Sequence, residues 1–157
     1  MHINVMGFNK KKSAELREAC EFFAHKLMDP RMVRNLQIDI ERTKTLDVQA
    51  ECIDEDGTRN PRWFTINLRA TDTDEDIIQT LAHEMVHVKQ HAKNELQSGV
   101  MVAARGGLSM HSRWMGKVWK PKSKEDGYWD SPWEIEAYGR EVGLYHQWVE
   151  KLTSKSA

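Results

Sequence analysis

The chain has only two cysteines, Cys20 and Cys52, among 157 residues. A structural zinc ribbon needs a full set of Cys or His ligands, usually grouped as CxxC pairs, so none is encoded. Cys20 falls in an expected helix and Cys52 in an expected strand, and free thiols are expected in preference to a disulfide. No run approaches the ~18 consecutive apolar residues of a membrane-spanning helix. An excess of one charge is also lacking. With 23 basic and 24 acidic residues the net charge is -1, which favours neither a nucleic acid nor an anionic membrane as partner. The opening "MHINVMGFNKKK" places its charges after the apolar residues, the reverse of a secretory leader, so a cytoplasmic location is expected. Repeats and low-complexity tracts are missing as well. What remains is a composition of 39% hydrophobic and 30% charged residues. At this length it suits one domain, residues 1–157, with a real core.

The apolar spacing sets out the elements. "SAELREACEFFAHKLM" (13–28) predicts an amphipathic helix with Ser13 as cap, a Leu16, Cys20, Phe23, Leu27 stripe, and Pro30 as its stop. Residues 32–42, 48–54 and 63–70 predict three strands. Leu36, Ile38 and Ile40 alternate, as do Phe64, Ile66 and Leu68, and "DEDGTRNP" (54–61) makes the turn between the last two. A long helix follows in "TDTDEDIIQTLAHEMVHVKQHAKNEL", capped by Thr73 or Asp74 with acidic residues in its first turn. Its stripe is Ile77, Ile78, Leu81, Met85, Val88 and Ala92. An irregular stretch with Gly99, Gly106 and Gly107 comes next, and 113–119 reads as a short strand or hairpin. Ser131 and Pro132 open a C-terminal helix. The order predicts an α+β domain, with a small three- to four-stranded antiparallel or mixed sheet packed against three helices.

The chemistry concentrates in "LAHEMVHVKQH" (81–91). His83 and His87 stand four apart, which on a helix is one turn apart on one face. Two imidazole nitrogens can therefore reach one ion at ~2.0–2.1 Å. Glu84 falls beside that ion without ligating it, where it can act as general base towards a metal-activated water. The bland alternative is a solvated face carrying two unrelated histidines. The apolar stripe runs down the other side, which separates the polar residues as a site would need.

A catalytic centre also needs a third ligand. Glu134, in "SPWEIEAYGRE", is the favoured candidate. It lies on a second helix, and Ala137, one turn on, lets that helix approach closely. Its structural alternative is a capping box with Ser131. Glu136 is the alternative ligand on the same helix, but points about 160° away around it. His111 would instead complete a three-histidine site, or simply flank a strand. His91, a further turn along, cannot converge on the same ion.

"HEMVH" followed by an E-x-x-A helix resembles the gluzincin class of zinc metallopeptidases. The resemblance implies zinc held by His83, His87 and Glu134, with Glu84 as general base. Strands preceding the HExxH helix are similar to the minimal zincin domains of SprT-like and ImmA/IrrE-like proteins. "PWEIEAYGRE" also looks like short metallopeptidase-like proteins of bacteriophages, which would make the compartment the host cytoplasm. There are departures. SprT-like proteins take their third ligand from a histidine, which would select His111, and often carry the zinc ribbon missing here. ImmA-like proteins carry Asn after the Ala, where Tyr138 stands.

The resemblance further implies a protein or peptide substrate that adds as an extended strand to a free edge of "WFTINLRA". Tyr138, Tyr128 or His111 would assist at the oxyanion. The cluster Trp114, Trp119, Tyr128, Trp129 and Trp133 reads either as packing for a long loop or as a wall touching substrate. "KVWKPKSK" (117–124) mixes basic and aromatic residues, but a solvated loop is preferred over a nucleic-acid contact. Three function classes remain: a zinc metallopeptidase (a DNA-associated, SprT-like protease being one form), a zinc-binding regulatory or interaction module without turnover, and a structural domain with an accidental motif.

Overall fold

The computed structural model describes residues 1–44, 47–69, 73–104, 107–121 and 127–156. Ala70, the start of the expected long helix at 71–72, Gly106 and part of the basic–aromatic stretch 117–124 lie outside them. The elements are β1 His2–Met6, α1 Lys10–Leu27, α2 Pro30–Arg34, β2 Gln37–Thr43, β3 Ala50–Asp54 and β4 Trp63–Arg69. They continue with α3 Asp74–Ala92, β5 Leu96–Ala104, β6 Gly107–Trp114, β7 Lys117–Val118 and α4 Pro132–Ser156. This is a mixed α+β architecture with two sheets. One has the order β1-β2-β4-β3 and the other β5-β6-β7. No helix among the described residues is long and apolar enough to cross a membrane.

Several elements differ from the sequence reading for local reasons. Helix α1 begins three residues before Ser13, because the Asn9 side chain accepts from Lys12 N at 2.9 Å and caps it. Residues 32–34 are helical, not extended. Asp29 accepts from the amides of Arg31 and Met32, and Pro30 sits in the first turn, so a helix start precedes the strand. Strand β1 was not expected, yet it pairs in parallel with β2, its Val5 buried. Gly7 ends it at φ 81, where a Cβ would come within 2.8 Å of Arg42 Cβ. Helix α3 starts on the Thr73 cap and stops at Ala92, short of Leu96, because Asn94 adopts a left-handed φ of 58. The stretch around Gly99 is not irregular. It is a β-hairpin whose register shifts between Gln97 and Val100. The sequence reading held only the far end of this second sheet, the hairpin at 113–119, where β6 pairs with β7 through Arg113–Val118 and Trp114–Lys117.

The core lies between α1, the four-stranded sheet, α3 and α4. Leu16, Cys20, Phe23, Ile38, Ile40, Phe64, Ile66, Leu81, Met85, Val88 and Trp148 are all buried in it. Both cysteines are free, and Cys20 Sγ lies 3.5 Å from Met85 Sδ. Strand β4 sits in the middle of its sheet, parallel to β2 and antiparallel to β3. It therefore has no free edge. The free edge next to α3 belongs to β3, which corrects the expectation for 63–70.

Hydrogen bonds define which groups of β3 are unpaired. Arg69 N donates to Gln49 O at 2.9 Å, and Glu55 N to Trp63 O at 3.0 Å. Bonded pairs alternate in an antiparallel ladder, so Glu51 and Ile53 bond inward to Asn67 and Thr65. The main-chain N–H and C=O of Ala50, Cys52 and Asp54 then point outward.

Candidate metal centre

Helices α3 and α4 pack against each other where Ala137 is fully buried. The small side chain brings the first turns of α4 up to the middle of α3. One face of α3 there carries His83 and His87. Their Nε2 atoms lie 3.1 Å apart. Glu134 reaches across from α4, with Oε2 3.3 Å from His83 Nε2 and Oε1 3.5 Å from His87 Nε2. His83, His87 and Glu134 are buried and form the metal-capable group among the described residues.

These spacings have a simple meaning. Bonds of ~2.0–2.1 Å to one ion put any two tetrahedral ligand atoms about 3.3 Å apart. The three separations bracket that value, the two to Glu134 being made by different oxygens of its carboxylate. The tautomers point the same way. His83 Nδ1 lies 2.7 Å from Glu141 Oε2, which can only accept, so Nδ1 carries hydrogen. His87 Nδ1 lies 2.8 Å from Gln90 Oε1. The Gln90 amide nitrogen donates to Trp133 O at 2.9 Å and Glu136 Oε2 at 3.1 Å, which fixes its oxygen as the acceptor. Both neutral rings thus turn lone pairs at Nε2 towards each other and towards a carboxylate. Such a pocket requires a positive charge at its centre, either a proton or a metal ion.

Glu134 does not close a capping box. Its Oε2 accepts from Tyr128 OH at 3.1 Å, while the Ser131 hydroxyl donates to Tyr128 O. Glu136 is not with the histidines. It pairs with Lys89 at 2.7 Å and Arg140 at 2.9 Å, and Lys89 also holds Glu95 at 2.6 Å. These pairs tie α4 to the end of α3. His111 lies on β6, its Nε2 2.7 Å from Ser109 Oγ, outside the group. His91 faces the Phe64 ring at 6.4 Å.

Glu84 is buried beside the group, and burial pushes its carboxyl above the usual range despite the opposing pull of His87 and His83. A cleft of about 390 Å³ opens over Glu84 and His83. Val48, Gln49 and Ala50, at one end of β3, form one wall, and Tyr128, Trp129 and Tyr138 the other. A second cleft of about 600 Å³ takes in Cys52 and Asp54, at the other end of β3, with His91 and the start of β5. Ala50 of β3 and Glu84 line the first cleft together; burial raises the Cys52 thiol well above its ordinary value, and the Glu84 charge adds to this.

The aromatic residues divide between the two roles considered. Trp114 and Trp119 pack on Trp133, with ring centres at 6.4 and 5.0 Å, and pin the second sheet to α4. Tyr128, Trp129 and Tyr138 are exposed and run as a chain of rings to His83, which Tyr138 meets at 4.5 Å. Two supporting residues escaped the sequence reading, Glu141 and Gln90. Each had a signal in spacing. Glu141 stands two turns beyond Glu134 on the same helix face, and Gln90 one turn beyond His87.

Charge in the group sets a pH dependence. Burial works against the His83 cation, but the hydrogen bonds it donates to the Glu134 and Glu141 carboxylates outweigh this and raise its pKa from 6.5 to about 9. Burial works against the Glu134 anion too, but His83 and His87 hold it at about 2, below its ordinary 4.5. In metal-stripped protein, the histidine contribution to stability is complete below 6.5 and is lost as pH rises through about 9. The glutamate contribution is complete above 4.5 and is lost as pH falls through about 2. Melting of chelated protein across pH is expected to plateau between those inner limits and decline towards pH 9. A flat profile over the alkaline range, in a chain that does not lose the profile's acid limb, would contradict this assignment.

No protein-family model matches this chain, and no curated protein or solved structure is similar enough to it to count as a match.

Proposed function

We propose that this protein is a zinc-dependent metallopeptidase of the gluzincin kind with a minimal zincin-like fold. His83, His87 and Glu134 hold the metal, and Glu84 is the general base. The observation that carries the reading is the set of donor separations, 3.1, 3.3 and 3.5 Å, around two histidines whose Nε2 lone pairs converge. Two imidazole nitrogens and one carboxylate, whose two oxygens face one nitrogen each, suit zinc as a donor set and leave one position open. Zinc in such a site supplies Lewis acidity to a carbonyl oxygen and acidifies water.

The chain's own residues do the rest. The outward groups of Ala50, Cys52 and Asp54 receive an extended peptide as an added strand, and the clefts at either end of β3 take its side chains. Glu84 accepts a proton as water oxygen bonds to the scissile carbon. It then delivers that proton to the departing amine nitrogen as the C–N bond breaks. Tyr128 and Tyr138, at the rim of the cleft, are the candidate donors to the developing oxyanion, in place of His111.

The test uses zinc-loaded protein and a reduced, carboxymethylated protein as an unfolded probe. New termini mapped by mass spectrometry are expected, lost on chelation and restored by zinc. A probe that stays intact with protein that takes up no zinc would overturn the proposal.

A further inference from the structure

We infer that Glu141 is the positioning carboxylate of the centre: it takes the Nδ1 proton of His83, fixes the ring so that Nε2 faces the metal, and makes His83 the stronger of the two imidazole donors. The inference rests on the metal-centre reading and extends it to a residue that touches neither metal nor substrate.

The geometry is specific. Glu141 Oε2 lies 2.7 Å from His83 Nδ1, and its other oxygen accepts from Gln79 Nε2 at 2.9 Å. Both carboxylate oxygens are therefore held, so the carboxylate cannot rotate away without breaking a second bond. Gln79 is one turn before His83 on α3. The clasp thus joins the ligand's own helix to α4 at two points. An ionised acceptor at Nδ1 makes a charge-assisted bond and increases electron density at Nε2.

His87 is held differently. Its Nδ1 meets the neutral amide of Gln90, which is fully buried and pinned by Trp133 O and Glu136. That partner orients the ring equally well but adds no charge. The two ligands are therefore unequal although they sit one turn apart on one helix. Their supports share one origin. Glu134, Glu141, Glu136 and the Trp133 carbonyl all belong to α4. This one helix supplies the third ligand and sets the orientation of the other two.

The experiment measures zinc affinity by competition with a chromophoric chelator, for wild type, Glu141→Ala, Glu141→Gln and Gln79→Ala. Loss of an outer carboxylate typically weakens metal binding about 10–100-fold, and Glu141→Ala is expected to fall in that range. Glu141→Gln keeps an acceptor for Nδ1 and should recover part of the loss. Gln79→Ala should cost less than either, since it frees only the second oxygen. The visible spectrum of the cobalt-substituted protein supplies a readout that stability alone does not move, and Glu141→Ala should shift its bands. Affinity within about twofold of wild type together with an unchanged cobalt spectrum for Glu141→Ala would overturn the inference while leaving the centre in place. If Glu141→Ala fails to fold, Glu141→Gln decides it by the same two readouts. Wild type that binds neither zinc nor cobalt would instead sink the metal-centre reading itself.

Discussion

Glu84→Gln is expected to keep its zinc and lose its chemistry. The side chain is buried beside His83 and His87 but belongs to no ligand pair, so an isosteric amide should leave metal content near that of wild type. A positioned general base contributes about 10²–10⁴-fold to rate, and cleavage of the unfolded probe should fall by that order. Burial has already raised the Glu84 carboxyl above its ordinary 4.5, the direction a base working nearer neutrality needs. Metal analysis and probe cleavage on the same sample separate the alternatives. Zinc lost with Glu84→Gln would make Glu84 a ligand. Zinc retained with full activity would move the base elsewhere. Zinc retained in a wild type that cleaves nothing, and is unaffected by Glu84→Gln, would favour a binding module over an enzyme.

Periodic features were legible in the sequence, and pairings between distant segments were not. The α3 stripe from Ile77 to Ala92 is buried as its spacing requires, and the Thr73 cap is in place, because both follow from local geometry. The same holds for His83 and His87, whose shared face needs only a helix. Glu134 was legible because Ala137, one turn on, marks a close helix approach. Strand β1 was missed because five residues beginning at His2 carry too little alternation to stand alone; only pairing with β2 makes them a strand. The free edge was misplaced because strand order does not follow chain order. β3 is added outside β4, which leaves β4 central. Glu141 lay in plain view on the Glu134 face, but its partner is an imidazole nitrogen on another helix, and no spacing rule names that contact.

Zinc should raise the melting temperature of chelated protein strongly, and Glu134→Ala should abolish most of that rise. A ligand that binds only the folded state, at about 1,000 times its Kd, stabilises by about 4 kcal/mol. A chain of this size melts about 2–4 °C higher per kcal/mol, which gives a shift of about 8–16 °C. The shift isolates the third ligand because the candidates differ in their other bonds. Glu136 holds Lys89 and Arg140, so Glu136→Ala lowers the melting temperature of both forms yet keeps the difference between them. His111 bonds Ser109 on its own strand, so His111→Ala should alter neither the baseline much nor the shift. Glu134→Ala removes the carboxylate from between the two Nε2 atoms, and the remaining pair cannot hold the ion as tightly. A full zinc shift in Glu134→Ala, with its loss in His111→Ala, would transfer the third ligand to the hairpin. That outcome would require β6 to reach the centre in the metal-bound protein. A full shift in all three variants would mean that none of Glu134, Glu136 and His111 holds the ion, and would overturn the set of His83, His87 and Glu134.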